Sequence, residues 1–204
     1  MRLFSWAVTI THIILYGSVM ASPESKLESA IFAAIAPAPF GFVGVRTEQD
    51  CATWQISELV YLPPRFQEKA PRDVAAELAV QQIERYFADP DFPFSLPLKI
   101  LGSVFQQRVW QAISSIPRGE IRTYGQVAKA IKSAPRAVGQ ACGANWFPLV
   151  IPCHRVTASG GLGGFAHHDD ETGFHLGIKR YLLRLERVPA YSQLESTQQQ
   201  ESMW

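Results

Sequence analysis

Short apolar runs separated by polar residues occupy the first half of the chain. Between residues 31 and 62 these runs fall at 40–45, 53–56 and 59–62. Runs of this length, bounded by turn-forming residues and ended by the prolines at 63 and 64, are typical of strands. The pattern predicts a small antiparallel sheet.

A helical pattern follows Pro71, Arg72 and Asp73. Its apolar side chains recur at intervals close to those of one helix face, at Val74, Leu78, Ile83 and Phe87. Proline is favoured in the first turn of a helix, where an N–H group would have no helical partner. Sheet and helix together predict an α+β domain over residues 23–89, behind an apolar extension over residues 1–22.

The second half of the chain has a mainly helical pattern. Prolines at 90, 93 and 97 predict an extended linker over residues 90–102. Ser103 suits the N-cap of a helix whose apolar residues share one face: Phe105, Val109, Ala112, Ile113 and Ile116. We predict a helical domain over residues 103–189 and a polar tail over residues 190–204.

Two further helices of this domain are joined by a short break. Thr123 suits the N-cap of the first, and Pro135 opens the second, which reaches Ala144. This spacing predicts a helix-turn-helix in a winged-helix-like domain. DNA binding and simple core packing both stay open, because helix pairs of this kind are common in cores.

One face of the second helix carries almost no side chains. The small residues on it are Ala137, Gly139, Ala141 and Gly143. Such a face permits close approach of another backbone, which is either DNA in its minor groove or a packed helix.

Charge separates the two halves of the chain. The net charge is +1, but residues 1–101 hold 8 basic and 11 acidic side chains, whereas residues 102–189 hold 11 and 5. The basic half is therefore the candidate nucleic-acid face.

The three cysteines, at 51, 142 and 153, show no paired or Cys-x-x-Cys spacing. Neither a disulfide framework nor a cysteine-based zinc site is indicated, and we expect a reducing compartment, the cytoplasm. Residues 3–21 are apolar and end like a short secretory signal, but polar residues interrupt the run. We favour a non-functional extension over a working signal.

Residues 152–156, Pro-Cys-His-Arg-Val, are the strongest candidate for chemistry. A thiol followed by an imidazole and a guanidinium, after a proline that fixes the backbone, suits a thiolate nucleophile. An isolated Cys-His pair is more often part of a core. A Cys/His hydrolase with His154 as base is a further alternative, although neighbouring side chains usually point apart. A non-catalytic regulator that binds DNA through the helix-turn-helix is another.

Several segments, in their order along the chain, resemble the O6-alkylguanine-DNA alkyltransferases (methylated-DNA protein-cysteine methyltransferases). They are residues 136–139, Asn145, residues 152–156, residues 163–165 and residues 179–186. The likeness is close over about residues 104–188 and loose before them. It implies a DNA repair protein that flips O6-alkylguanine or O4-alkylthymine out of duplex DNA and transfers the alkyl group irreversibly to its own cysteine.

The resemblance assigns the chemistry to five positions. It implies that Cys153 accepts the alkyl group, that His154 takes the thiol proton through a water, and that Glu186 holds His154. Asn145 would fix the turn that carries the nucleophile. Tyr124 would crowd the 3′ phosphate and help turn the base outward.

The same resemblance implies the DNA contacts and the base pocket. Arg136 would fill the gap left by the flipped nucleotide, on a helix whose Ala137 and Gly139 lie in the minor groove. The carbonyl of Val156 would meet the exocyclic amine of guanine. A loop that includes Gly164 and Phe165 would cover the base, with Phe165 where the family commonly has tyrosine.

The chain departs from the usual family spacing at residues 166–172, an insertion that contains two histidines and three acids. We predict a mobile flap whose acids point away from DNA rather than a metal site, because no second set of ligands is present. No cofactor, metal or membrane association is expected. The expected partner is duplex DNA with alkylated guanine, bound by a monomer.

Overall fold

The strands of the first half form one antiparallel sheet in the order β1-β2-β3. In a computed structural model, which describes residues 29–170 and 172–192, β1 is Ala34–Ala38, β2 is Gly41–Asp50 and β3 is Thr53–Leu62. The sequence pattern predicts this sheet but places no strand at β1, where alanine and proline stand in place of the residues that favour strands. It also divides β3 into two runs.

A register shift explains the division of β3. Arg46 lies opposite Glu58, whereas its neighbour Thr47 lies opposite Ile56, so β3 carries one extra residue at this point. The bulge resets the alternation of the two faces, and Ile56 and Leu59 are both buried although they are an odd number of positions apart. A strict alternation pattern therefore reads one strand as two.

Helix α1 (Val74–Ala88) covers the sheet. Asp73 caps its N-terminus and accepts a hydrogen bond from Thr47 Oγ1 of β2 at 2.6 Å. The buried face consists of Ala75, Ala76, Ala79, Gln82, Ile83 and Tyr86. The predicted face was wrong at Val74 and Leu78, which are 69% and 36% exposed. Leu78 and Ile83 are five positions apart, so they lie about 140° apart around the helix and cannot share a face.

The proline-rich segment at residues 90–102 is extended as predicted, but it is bound to the first half. Ile56 N donates to Pro97 O at 2.8 Å, and Lys99 N donates to Ile56 O at 2.9 Å. Gln82 of α1 exchanges two further hydrogen bonds with the backbone of Ser95. The segment therefore covers an edge of β3 that would otherwise leave backbone groups unpaired.

The second half contains α2 (Val104–Ser114), α3 (Tyr124–Ala130), α4 (Pro135–Gly143) and α5 (Phe174–Leu185), with a short α6 (Pro189–Ser192) after them. Ser103 and Thr123 form capping boxes with the glutamines three residues on, and Pro135 is the first residue of α4. These helix starts agree with the sequence prediction. The predicted face of α2 omits Trp110, which is buried and donates from Nε1 to Ala141 O of α4 at 2.8 Å.

Two short strands that the sequence did not predict join the start of α3 to the segment after Cys153. They are β4 (Arg122–Thr123) and β5 (Val156–Thr157), paired in parallel. Between α4 and Cys153, residues 147–151 form a mostly buried turn, in which Leu149 has a φ of 73° that a strand does not permit. A turn of 3₁₀ helix, Cys153–Arg155, follows.

Helix α5 buries a charged residue, although lysine side chains are almost always exposed unless they are paired. Ile178 and Leu182 face the core, and Lys179 is 0% exposed. Leu176, Lys179 and Leu183 follow the spacing i, i+3, i+7 of one helix face, and all three are buried. The same periodicity could therefore have placed Lys179 inward.

Several contacts join the two halves. Leu59 N of β3 donates to Trp146 O at 2.9 Å, and the rings of Tyr61 and Phe165 lie 5.7 Å apart. Within the described ranges, no helix is long and apolar enough to cross a membrane. The expected extension at residues 1–22 lies outside the described residues, as does the tail after residue 192.

Candidate active site

Cys153 lies in the wall of a cavity between α4, the start of α3 and residues 164–169. Its side chain is 5% exposed, in the 3₁₀ turn that follows Pro152. The cavity has a volume of about 260 Å³ and is lined by Tyr124, Gly139, Cys142, Gly143, Cys153, Gly164, Phe165, Ala166, His167, His168 and Asp169. A space of this size, mostly apolar with a few polar groups, accepts one small planar molecule.

Asn145 holds the turn that carries the thiol. Its Nδ2 donates to Ile151 O at 2.9 Å and to Cys153 Sγ at 3.2 Å, while its Oδ1 accepts from Phe147 N at 3.0 Å. One amide side chain thus spans the loop from α4 to the 3₁₀ turn. It also directs an N–H group at the sulfur, which stabilises the negative charge of a thiolate.

The thiol of Cys153 is protonated in the resting site. Burial raises its pKa, because a low-dielectric surrounding disfavours the thiolate, and the hydrogen bond from Asn145 and the charge of Lys179 oppose that effect in part. A buried neutral thiol is a poor nucleophile, so the chemistry needs a base that takes its proton.

A buried polar cluster lies directly after the thiol. His154 Nε2 and Glu186 Oε1 are 2.9 Å apart, and both side chains are almost fully buried. Arg155 donates to Glu186 from Nε and from its second terminal nitrogen, each at 2.8 Å, and Tyr86 Oη of α1 donates to Oε1 at 2.9 Å. The carboxylate therefore has partners on both oxygens, and Tyr86 connects it to the first half of the chain.

The electrostatics of this cluster keep Glu186 charged and His154 neutral. Burial would raise the pKa of Glu186, but the hydrogen bonds and charges of His154 and Arg155 outweigh it and hold that pKa well below the usual range. Burial lowers the pKa of His154 against the opposing effect of Glu186. In a neutral ring Nε2 carries the hydrogen and donates to the carboxylate, which leaves Nδ1 as a proton acceptor.

Nδ1 of His154 is available for that task. It is buried and makes no hydrogen bond to any side chain or backbone group within residues 29–170 and 172–192. A neutral imidazole, fixed by a carboxylate at one nitrogen and with the other nitrogen free, is the usual form of a general base.

Lys179 fastens the segment that closes the cavity. Its Nζ donates to Leu162 O at 2.7 Å and to Gly164 O at 3.0 Å, and Tyr124 Oη donates to the same Gly164 oxygen at 3.0 Å. Nζ also lies 5.8 Å from the ring centroids of Tyr124 and Phe165. Burial lowers the pKa of Lys179 to about 8, against the attraction of Cys153 and Cys142. The sequence analysis missed this role.

The predicted DNA-contact residues lie on the outside of α4. Arg136, in the first turn, is exposed, and Ala137 is partly buried beside it. Gly139 lines the cavity, and a Cβ atom placed there would be 4.0 Å from the ring of Tyr124. Gly139 and Gly143, four positions apart, form a bare face of α4 that lines the cavity, and the exposed Arg136 stands at its start. Ala137 and Ala141 lie on the other side of the helix, where Ala141 is buried, so the four small residues do not share one face.

Val156 was expected to contact the exocyclic amine of guanine through its backbone carbonyl. The structure places it in β5, paired with Arg122, with its side chain wholly buried and absent from the cavity lining. The pairing of β4 with β5 packs this side chain into the core, and the contact of its carbonyl with the base stays a prediction. Gly164 and Phe165, by contrast, do line the cavity.

Residues 165–170, at the start of the insertion, form a turn that contacts α5. Phe165 and His168 exchange backbone hydrogen bonds at 2.8 Å, which closes a tight turn. The ring of His168 stacks on that of His175 in α5, with centroids 3.9 Å apart. Glu171 lies outside the described residues, and within the described ones no group of three or more His, Cys, Asp or Glu side chains is placed to hold a metal ion.

The comparison with protein families matches the second half of the chain. The family model described as 6-O-methylguanine DNA methyltransferase, DNA binding domain, matches residues 104–188. The constitutive methylated-DNA–protein-cysteine methyltransferase of Bacillus subtilis is 46% identical over 113 residues, which are 54% of this chain and 65% of that protein. The methylated-DNA–protein-cysteine methyltransferase of Archaeoglobus fulgidus is 42% identical over 108 residues, 53% of this chain and 73% of that protein. The matched segment thus spans about two thirds of the length of these relatives.

Among solved structures, Mycobacterium tuberculosis OGT in complex with DNA superposes with a TM-score of 0.58. It is 35% identical, and the match covers 77% of this chain and 94% of that one. The match is longer than the family model, so the fold of the first half is shared as well as that of the second.

Proposed function

This chain belongs to the family of methylated-DNA–protein-cysteine methyltransferases, and from that premise we propose that its Cys153 removes the alkyl group from O6-alkylguanine, or from O4-alkylthymine, in duplex DNA. The transfer leaves a thioether on the protein and a restored base in the DNA. Because a thioether is stable, each molecule acts once.

One observation carries this proposal: Cys153 lines a base-sized cavity while Asn145 contacts its sulfur and a buried His154–Glu186 pair follows it in the chain. The cavity supplies the place for a base. Asn145 aims the sulfur, and the histidine supplies the base for its proton. These are the parts that a nucleophilic displacement by a thiol requires.

The proposed reaction is a single displacement with one proton relay. His154 Nδ1 takes the thiol proton through a water, and Glu186 stabilises the imidazolium that forms. The thiolate attacks the alkyl carbon, the sulfur–carbon bond forms as the carbon–oxygen bond breaks, and the electron pair of that bond stays on the base oxygen. The guanine anion takes up one proton, so atoms and charge balance without a cofactor.

The DNA must deliver its base into the cavity. An alkylated oxygen inside a duplex is out of reach of a buried thiol, so the nucleotide has to turn out of the stack. The bare face of α4 permits close approach to the minor groove through Gly139, and Ala137 in the first turn of the helix would contact the groove as well. Arg136 is exposed at the start of that face and would fill the gap, while Tyr124 at the start of α3 would crowd the 3′ phosphate.

We propose that the protein works as a monomer in the cytoplasm and needs neither metal nor cofactor. All three cysteines are free thiols, which suits a reducing compartment where DNA is present. A displacement by thiolate is complete with the groups described above.

Incubation with a duplex that carries one O6-methylguanine with a radiolabelled methyl group tests the proposal. Label should move to the protein and stop at one group per molecule. A regulator that binds DNA without chemistry would retard the duplex in a gel and acquire no label. A Cys/His hydrolase would release the label into solution, and either result would overturn the proposal.

A further inference from the structure

The insertion forms a wall of the cavity that contains the nucleophile. Ala166, His167, His168 and Asp169 all line the space that Cys153 also lines. The side chains of this wall lie where a bound base would meet them.

The backbone of the insertion turns sharply at two residues. Phe165 N and His168 N each donate to the other residue's carbonyl at 2.8 Å. Between them, Ala166 and His167 have φ angles of 50° and 64°. A two-residue turn with both φ angles positive prefers glycine and asparagine, so contacts around the turn must hold alanine and histidine in this conformation.

The structure provides such contacts after the turn. The ring of His168 stacks on His175 of α5, with centroids 3.9 Å apart and planes within 6°. Asp170 accepts hydrogen bonds from the backbone and the hydroxyl of Thr172, and Gly173 N donates to Asp170 O at 2.9 Å. The turn is thereby fixed to the start of α5.

The fixed turn places the His167 ring on the bare face of α4. A Cβ atom at Gly143 would lie 2.3 to 2.7 Å from atoms of that ring, so the ring rests directly on the glycine. One helical turn earlier, a Cβ atom at Gly139 would lie 4.0 Å from the Tyr124 ring. Positions four apart on a helix are neighbours about 6 Å apart. Two aromatic side chains therefore border the cavity along one stripe of the helix.

We propose that His167 is a base-binding residue whose imidazole ring forms an aromatic wall of the pocket, one helical turn from Tyr124, against which the extruded purine stacks. The inference deepens the proposed function, on which it rests. Stacking on aromatic side chains holds unpaired bases because every base has a flat π face. Glycine at 143 is required because any side chain there would displace the ring.

Binding of a short single strand tests this inference apart from the chemistry. The probe is a fluorescent pentanucleotide with one central O6-methylguanine, which needs no flipping, and the protein carries Cys153→Ser so that no transfer occurs. Adding His167→Ala should weaken binding about tenfold, which is the size of losing one stacking partner. His167→Phe should bind as well as histidine, because it keeps a ring. His167→Asn should bind as weakly as alanine.

A second variant tests the contact between His167 and α4 by a change on the helix, at Gly143. Gly143→Ala should weaken binding by a similar factor, because its methyl group must move the His167 ring, and it should add nothing when His167 is already alanine. Gly177→Ala is the matched control, since a Cβ atom there meets no atom within 4 Å. Thermal unfolding of each variant identifies any that fail to fold.

The inference is overturned if His167→Ala binds the probe as tightly as the parent, or if His167→Asn retains affinity while His167→Phe loses it. The second result would indicate a hydrogen bond instead of stacking. Label transfer by the protein with Cys153 intact is measured in parallel and decides the proposed function separately. If no label is transferred but the His167 variants still bind the pentanucleotide more weakly, the proposed chemistry is refuted and the base-binding role of His167 is not.

Discussion

Cys142 and Cys153 are two buried thiols in the wall of one cavity, and their surroundings differ. Burial raises the pKa of both, and each lies within the electrostatic influence of Lys179. Cys153 has in addition the hydrogen bond from Asn145. Cys142 has no comparable donor among its described hydrogen-bond partners, and it lies in the last turn of α4, where the helix dipole disfavours an anion.

The comparison shows that access to the cavity does not select the nucleophile. Both sulfurs share the cavity and the penalty of burial. The difference lies in the polar groups after the thiol: His154 follows Cys153 and is fixed by Glu186, whereas Cys142 is followed by Gly143 and Ala144, which can accept no proton. A proton acceptor beside a buried thiol decides which one reacts.

The largest expected effect comes from exchanging the two sulfurs for oxygen. Cys153→Ser should abolish methyl transfer from an O6-methylguanine duplex while duplex binding persists, because a hydroxyl is a far weaker nucleophile than a thiol. Cys142→Ser and the exposed Cys51→Ser should transfer normally. Scintillation counting of the protein after one hour gives the answer. An active Cys153→Ser beside an inactive Cys142→Ser would reverse the comparison.

The next effect concerns the proton relay. Glu186→Gln should lower the single-turnover rate about a hundredfold, within the range that a general base and its support contribute. The amide cannot stabilise an imidazolium as the carboxylate does. Tyr86→Phe is the matched control, because it removes one hydrogen bond to Glu186 and leaves Arg155 and His154 in place. Equal losses in both variants would mean that the cluster serves structure alone.

Sequence reasoning located the helix starts of the second half but could not assemble the site. The caps at Ser103 and Thr123 are local signals, and short-range rules predict them correctly. Tyr86 meets Glu186 across 100 positions of the chain, and no local pattern encodes such a contact. In β3 the bulge overrode the strand pattern, whereas Lys179 lies at a position that the helical periodicity of α5 already places inward.

The DNA-facing side of α4 supplies a smaller effect that separates extrusion from chemistry. Arg136→Ala should slow repair of an O6-methylguanine duplex about tenfold, which is about 1.4 kcal/mol and so a part of the few kcal/mol that extrusion of a base costs. It should leave the reaction with free O6-benzylguanine unchanged, because the arginine is exposed and absent from the cavity lining. Rates for both substrates, measured in one preparation, provide the ratio. Equal losses on both would place Arg136 at the thiol instead.

The smallest effect is on stability in acid. The pKa of Glu186 is lower in the folded chain than its ordinary value of about 4.3. Its stabilisation is therefore complete above that ordinary value and is lost as the pH falls from there towards the lowered pKa. Urea unfolding of Glu186→Gln should show a lower free energy of unfolding at pH 7 and a flatter decline below about pH 4.3 than the parent. If the free energies of unfolding of the parent and the variant fall in parallel as the pH is lowered, Glu186 is not ionised in the folded chain.

The measurement that tests the central claim most directly is the location of the transferred group. The protein is incubated with excess O6-methylguanine duplex, digested, and its cysteine peptides are compared by mass spectrometry. The account predicts one S-methyl group per molecule, on the peptide that contains Cys153, with the Cys142 peptide unmodified. Methylation of Cys142, alone or in equal measure, would contradict it.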